Sequence, residues 1–214
     1  MRTILAFGDS LTWGSDPQTG ARHPHRYRWP EALRAELGDG HEVITDAVRG
    51  RTTAFDESFA DCDRNGVKAL PTALYAHAPI DLVVIMLGGN DMKPFVSGSA
   101  IASAQGGMKR LAEIALGHQQ GMPGGKSAKL VIVAPPPLVA TDHVDFAAIF
   151  EGGAAESRKL AGLYERLAGE LGCAFFDAGS VAQASPVDGI HLDARNTRAI
   201  GVALAPLVRS VLAS

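Results

Sequence analysis

The chain reads as an α/β protein, a three-layer sandwich with helices on both faces of a parallel sheet. Three observations predict it. Short β-rich runs alternate with longer helical patterns from one end to the other. Residues 82–87 and 130–133 are apolar at every position, as in strands covered on both faces. Ser10, Gly50 and Asn90 each follow a strand candidate closely. Right-handed crossovers would bring all three to one sheet edge, where ligands of such folds bind.

The elements follow in order. Strands are expected at 3–8, 42–47, 82–88, 129–135 and Ala174–Asp177, and helices at Trp29–Leu37, 67–77, 100–117, 154–171 and 194–212. Pro30 suits a first helical turn, and Gly38 and Gly172 suit helix stops. Three stretches read as long loops: 15–27, 55–65 and 138–153. Loops of that length in a compact domain are usually functional or contact another subunit. Residues 117–127 read as a glycine-bearing connector.

Bulk properties narrow the function. A length of 214 residues suits one domain with a sizeable core. The net charge is −3 and no lysine- or arginine-rich block occurs, which argues against nucleic acid or an anionic membrane as partner. The longest apolar runs are too short to span a bilayer. No apolar signal segment precedes the first strand, and the two cysteines, Cys62 and Cys173, lie far apart without metal or redox spacing. A reducing cytoplasm is the expected location.

Four blocks carry chemistry. Gly8-Asp9-Ser10-Leu11 puts a serine at the end of the first strand. Alone it is also an ordinary turn composition. Asp188-Gly189-Ile190-His191 sets a carboxylate and an imidazole one turn apart, so the acid can hold one ring nitrogen while the other accepts a proton. Asn90 follows Gly88-Gly89, and its amide can donate to a developing oxyanion, or merely to local backbone. Gly50 and Ser10 would add backbone N–H groups. Serine acyl transfer needs a nucleophile, a base, an orienting acid and such donors. The Gly-x-Ser-x-Gly elbow of ordinary α/β-hydrolases is absent.

In order and spacing, these four blocks resemble the SGNH (GDSL) hydrolase superfamily. Further stretches, including Arg51-Thr52-Thr53 and residues 134–138, 149–153 and 175–181, resemble its bacterial arylesterase/acyltransferase branch. The resemblance implies a flavodoxin-like sandwich around a five-stranded parallel sheet. It implies Ser10 as nucleophile, His191 as base and Asp188 as its orienting acid, with Ser10, Gly50 and Asn90 forming the oxyanion hole. It also implies an acyl channel lined by Leu11, Phe146, Ile149, Phe150 and Ile190, each of which could equally be core. No metal or cofactor is implied, and a homo-oligomer is. One departure stands out: Ser15 occupies the position where the mycobacterial acyltransferase of that branch has tryptophan. A more open, wetter mouth, less biased to acyl transfer, is the expectation.

The function that results is hydrolysis of short-acyl esters of aryl or simple alkyl alcohols, with transfer to alcohols or peroxide open. A carbohydrate or xenobiotic deacetylase using the same residues is an alternative. A thioesterase or lysophospholipase would need a longer groove, and a non-catalytic flavodoxin-like binding module is the rival from another class. Other features read as structural. Residues 121–127 resemble a phosphate loop, but Gln120 stands where its first glycine should be. His23-Pro24-His25 has no acidic or cysteine set to complete a metal site. Asp9 is expected to brace the serine turn, and Asp91 to cap the segment after Asn90.

Overall fold

A computed structural model describes residues 1–118 and 127–214. The phosphate-loop-like run and most of the connector lie outside the described residues, except for Gly117, His118 and Ser127.

Five strands form one parallel sheet: β1 Arg2–Gly8, β2 His41–Ala47, β3 Leu82–Met86, β4 Lys129–Ala134 and β5 Ala174–Asp177. Their order, β2-β1-β3-β4-β5, is the flavodoxin-like one. Gly8 pairs in register with Ala47 of β2 and Met86 of β3, so the carboxyl ends of these three strands lie level.

The helices are α1 Ser10–Trp13, α2 Trp29–Leu37, α3 Gly66–His77, α4 Ala100–Ala102, α5 Lys109–Gly117, α6 Val144–Ile149, α7 Gly153–Ser157, α8 Leu160–Leu171 and α9 Ala194–Ala213. Strand side chains alternate between two cores. Leu5, Phe7, Val83, Ile85 and Ile132 pack with α3, α5 and α8. Ile4, Ala6, Val84, Met86 and Val131 pack with α2 and α9. Both faces of β3 are therefore covered, which is why every residue in it is apolar.

Two helices are shorter than their apolar pattern predicts. The run 100–117 is interrupted by a wider π-type turn over Ser103–Met108. The run 154–171 breaks between α7 and α8. There Ser157 Oγ donates to the Ala154 carbonyl and accepts from Leu138 N–H, so the side chain competes with the helical ladder. The stretch 138–153, expected as loop, contains α6. None of the helices of the described residues is long and apolar enough to cross a membrane.

Candidate active site

β1 ends at Gly8, and Asp9 caps the single turn of α1 by accepting Leu11 N–H at 2.9 Å. That cap places Ser10 at the sheet edge. From the far end of the chain, the turn before α9 returns to the same point. Asp188 Oδ1 accepts the backbone N–H groups of Ile190 and His191, which fixes the turn, and Oδ2 lies 2.6 Å from His191 Nδ1. The other ring nitrogen, Nε2, lies 3.0 Å from Ser10 Oγ. With the proton on Nδ1, a tautomer the Asp188 contact favours, Nε2 is free to accept from the hydroxyl. Burial pushes the Asp188 carboxyl up, but the His191 ring and the two N–H groups outweigh it and hold it below its usual range. A hydroxyl, imidazole and carboxylate so linked can pass a proton from nucleophile to leaving group.

Asn90 and Gly50 stand on the other side of Ser10. Asn90 Nδ2 donates to Asp9 Oδ2 at 3.0 Å and to the Arg51 carbonyl at 3.2 Å, so both amide hydrogens already have protein acceptors. Gly50 has φ +83°, and a side chain there would also collide with the Arg64 guanidinium. The structure bears out the brace at Asp9. Asp9 is buried, and burial raises its carboxyl to about 6, with Leu11, His191 and Asn90 drawing it partly back.

These groups open onto a cavity of about 630 Å³. Phe146, Ile149, Phe150 and Ile190 line one wall, and Phe146 meets the His191 ring edge-on at 5.9 Å. Leu11 does not join them. It is buried in the core with Trp29 and Leu33, because the α1 turn directs it inward while Ser10 faces the cavity. Ser15 does line the cavity, but as a nearly buried residue whose Oγ has no hydrogen-bond partner. Asp91 is no helix cap. Its carboxylate accepts from Thr53 and Ser103 in the interior.

Sequence reasoning missed a charged trio, two members of which, Arg64 and Lys93, line the cavity. Glu57, almost wholly buried, accepts from Lys93 Nζ at 3.0 Å and Arg64 Nη1 at 2.7 Å, while Lys93 also faces the Phe150 ring. Lys93, three residues past Asn90, was the one available signal. Nothing local marks Glu57 within a long loop.

The GDSL-like lipase/acylhydrolase family model matches residues 6–198. A carbohydrate acetylesterase family member from Sinorhizobium meliloti is 49% identical over 100% of both chains, with a TM-score of 0.97. The aryl esterase of M. smegmatis is 41% identical, covering 99% of this chain and 100% of its own, with a TM-score of 0.93. A second S. meliloti carbohydrate acetylesterase is 38% identical over 98% and 99% of the two chains, with a TM-score of 0.94. No curated protein matches significantly.

Proposed function

This chain belongs to the GDSL-like lipase/acylhydrolase family, and from that premise we propose that it is a serine esterase acting on short-acyl esters of aryl or simple alkyl alcohols. The observation that carries this reading is the unbroken contact from Asp188 Oδ2 through both His191 nitrogens to Ser10 Oγ at the floor of the cavity.

Ser10 Oγ attacks the ester carbonyl as His191 Nε2 takes its proton, and Asp188 steadies the resulting imidazolium. The carbonyl oxygen becomes an oxyanion and is met by the N–H groups of Ser10 and Gly50 and by Asn90 Nδ2–H. Both Asn90 hydrogens are held by Asp9 and the Arg51 carbonyl, so the amide shares or releases one of them to the oxyanion. Collapse breaks the ester C–O bond, and the alcohol departs with the proton held by His191. Water, activated by the same imidazole, releases the acid, and an alcohol or peroxide in its place would give transfer.

The apolar wall at Phe146, Ile149 and Phe150 supports a short acyl group. A second reading, deacetylation of sugar esters, draws on the polar lining residues Asp16, Gln18 and Thr19 and on the acetylesterase relatives. Purified protein assayed on 4-nitrophenyl acetate and on acetylated sugars separates the two by kcat/KM, with fluorophosphonate labelling of Ser10 as the common test. No turnover of any acetyl ester and no labelling would overturn both and leave a binding module. We further infer a single domain and a cytoplasmic location, the latter supported by two unpaired cysteines. A homo-oligomer is supported by the exposed Phe59–Phe95 pair, Phe95 lying two residues from Lys93 on the cavity wall, and light scattering would test it.

A further inference from the structure

We propose that Asp91 is a positioning residue whose buried carboxylate ties the loop bearing Gly50 to the loop bearing Asn90 and so sets the spacing of the two oxyanion donors. The inference rests on the reading of Gly50 and Asn90 as those donors.

Asp91 directly follows Asn90, and Thr53 lies three residues past Gly50. Asp91 Oδ1 accepts Thr53 N–H at 2.9 Å, and Oδ2 accepts Thr53 Oγ1–H at 2.5 Å and Ser103 Oγ–H at 2.6 Å. Ser103 Oγ lies 3.0 Å from Tyr164 Oη, which also donates to the Leu87 carbonyl at 3.2 Å. The hydroxyls of Thr53 and Ser103 each carry one hydrogen and spend it on the carboxylate. The Tyr164 hydrogen is left to be shared between Ser103 and Leu87, just past the end of β3. One carboxylate thus fastens the Thr53 loop, the Asn90 loop and the turn after α4, and through Ser103 reaches α8.

Asp91 is completely buried and does not line the cavity, so it touches no substrate. A charge in that position is costly unless its bonds are well made. Burial raises its carboxyl to about 6, although Ser103 and Thr53 pull it back. The surrounding backbone is shaped to these bonds. The π-type turn Ser103–Met108 begins at the residue that donates to Asp91, and such wide turns concentrate at functional sites. Within that turn Gly107 leaves room for Thr53, since a Cβ there would lie 1.8 Å from Thr53 Oγ1. Removing one hydroxyl should therefore let the two donor loops drift without emptying the cavity.

The test compares wild type with Thr53→Val, Thr53→Ser and Ser103→Ala on 4-nitrophenyl acetate, with Asn90→Ala in parallel. The rate and final extent of fluorophosphonate labelling are followed for each. Thr53→Val should lower kcat by at least about tenfold, towards the ~10²-fold that a misplaced group costs, and slow labelling in proportion. KM should stay within about twofold, and labelling should still reach completion. Thr53→Ser, which keeps the hydroxyl, should restore kcat. Wild-type kcat in Thr53→Val, or an equal loss in Thr53→Ser, overturns the inference. If Thr53→Val does not fold, Ser103→Ala carries the same expectation, and unchanged kcat there overturns it. Impaired Asn90→Ala beside unimpaired Thr53→Val removes this inference alone, whereas unimpaired Asn90→Ala removes the oxyanion reading on which it stands.

Discussion

On one side of the cavity, Ser10, Gly50 and Asn90 sit two, three and four residues beyond the ends of β1, β2 and β3. Asp9 and Asp91 lie behind them at 2% and 0% exposure, with both carboxylate oxygens of each accepting hydrogen bonds. On the other side, α6 and the turn before His191 supply Phe146, Ile149, Phe150 and Val187. That wall has no buried residue in α6, and Val144 is 80% exposed. One side is held by directional polar bonds at strand ends, the other by apolar contact at the surface. Polar bonds fix atoms to tenths of an ångström, as oxyanion stabilisation demands. Apolar contacts tolerate volume change, as a specificity wall should.

The largest expected effects fall on the catalytic groups themselves. Ser10→Ala should abolish esterase turnover and probe labelling while leaving the fold intact, measured by 4-nitrophenyl acetate hydrolysis and thermal melting. His191→Ala should cost nearly as much, since members of such a unit are non-additive. Near-normal turnover by Ser10→Ala would end the proposed mechanism. Next comes Asn90→Ala, expected to lower kcat about 10²–10³-fold, roughly 3–4 kcal/mol, with KM moving far less. A change confined to KM would make Asn90 a ground-state contact.

Acid should act on the same side. Burial raises Asp9 and Asp91 both to about 6. As pH falls through that value each gains a proton and weakens the charged bonds it accepts, so activity should fall below pH 6 with a slope steeper than one proton. The stability sign is opposite. A carboxyl whose folded value is raised contributes stability that is full below its unfolded value of 3.8 and lost as pH rises through about 6. Lowering pH from 7 to 5 should therefore cost activity without a drop in Tm from these groups. Activity and Tm falling together would show that the acid loss comes from unfolding instead.

The catalytic groups were more legible in sequence than the apolar wall because their chemistry is local. Asp188 and His191 are three residues apart, and Ser10 and Asn90 directly follow short glycine-bearing turns. The five strands follow from short β-rich runs, and the covered faces of β3 and β4 from segments apolar at every position. What escaped is long-range. The run 100–117 has a helical pattern, yet Ser103 is committed to Asp91 and Tyr164, and the ladder widens there. Glu57 finds Arg64 and Lys93 seven and 36 residues away, a pairing no local spacing announces. Leu11, implied as channel lining or equally as core, packs in the core, because one turn of helix sends neighbouring residues to opposite sides.

The smallest expected effect belongs to the apolar wall and would sharpen the contrast. Phe150 packs against the core from the cavity wall, with the Lys93 ammonium 5.6 Å from its ring centre. If that wall limits acyl length, kcat/KM should fall as the acyl group grows from acetyl to hexanoyl, because extra methylenes cannot be buried without strain. Phe150→Ala should relax the limit, with hexanoate rising relative to acetate by the ~10–200-fold that a methylene or two can command in a pocket. The acetate rate should change little, since Phe150 is not bonded to Ser10, His191 or Asn90. Chain-length profiles of 4-nitrophenyl esters for both proteins decide it. A profile already flat in the wild type would mean that this wall does not set specificity. A collapse of the acetate rate in Phe150→Ala would mean that the apolar side helps hold the catalytic groups after all.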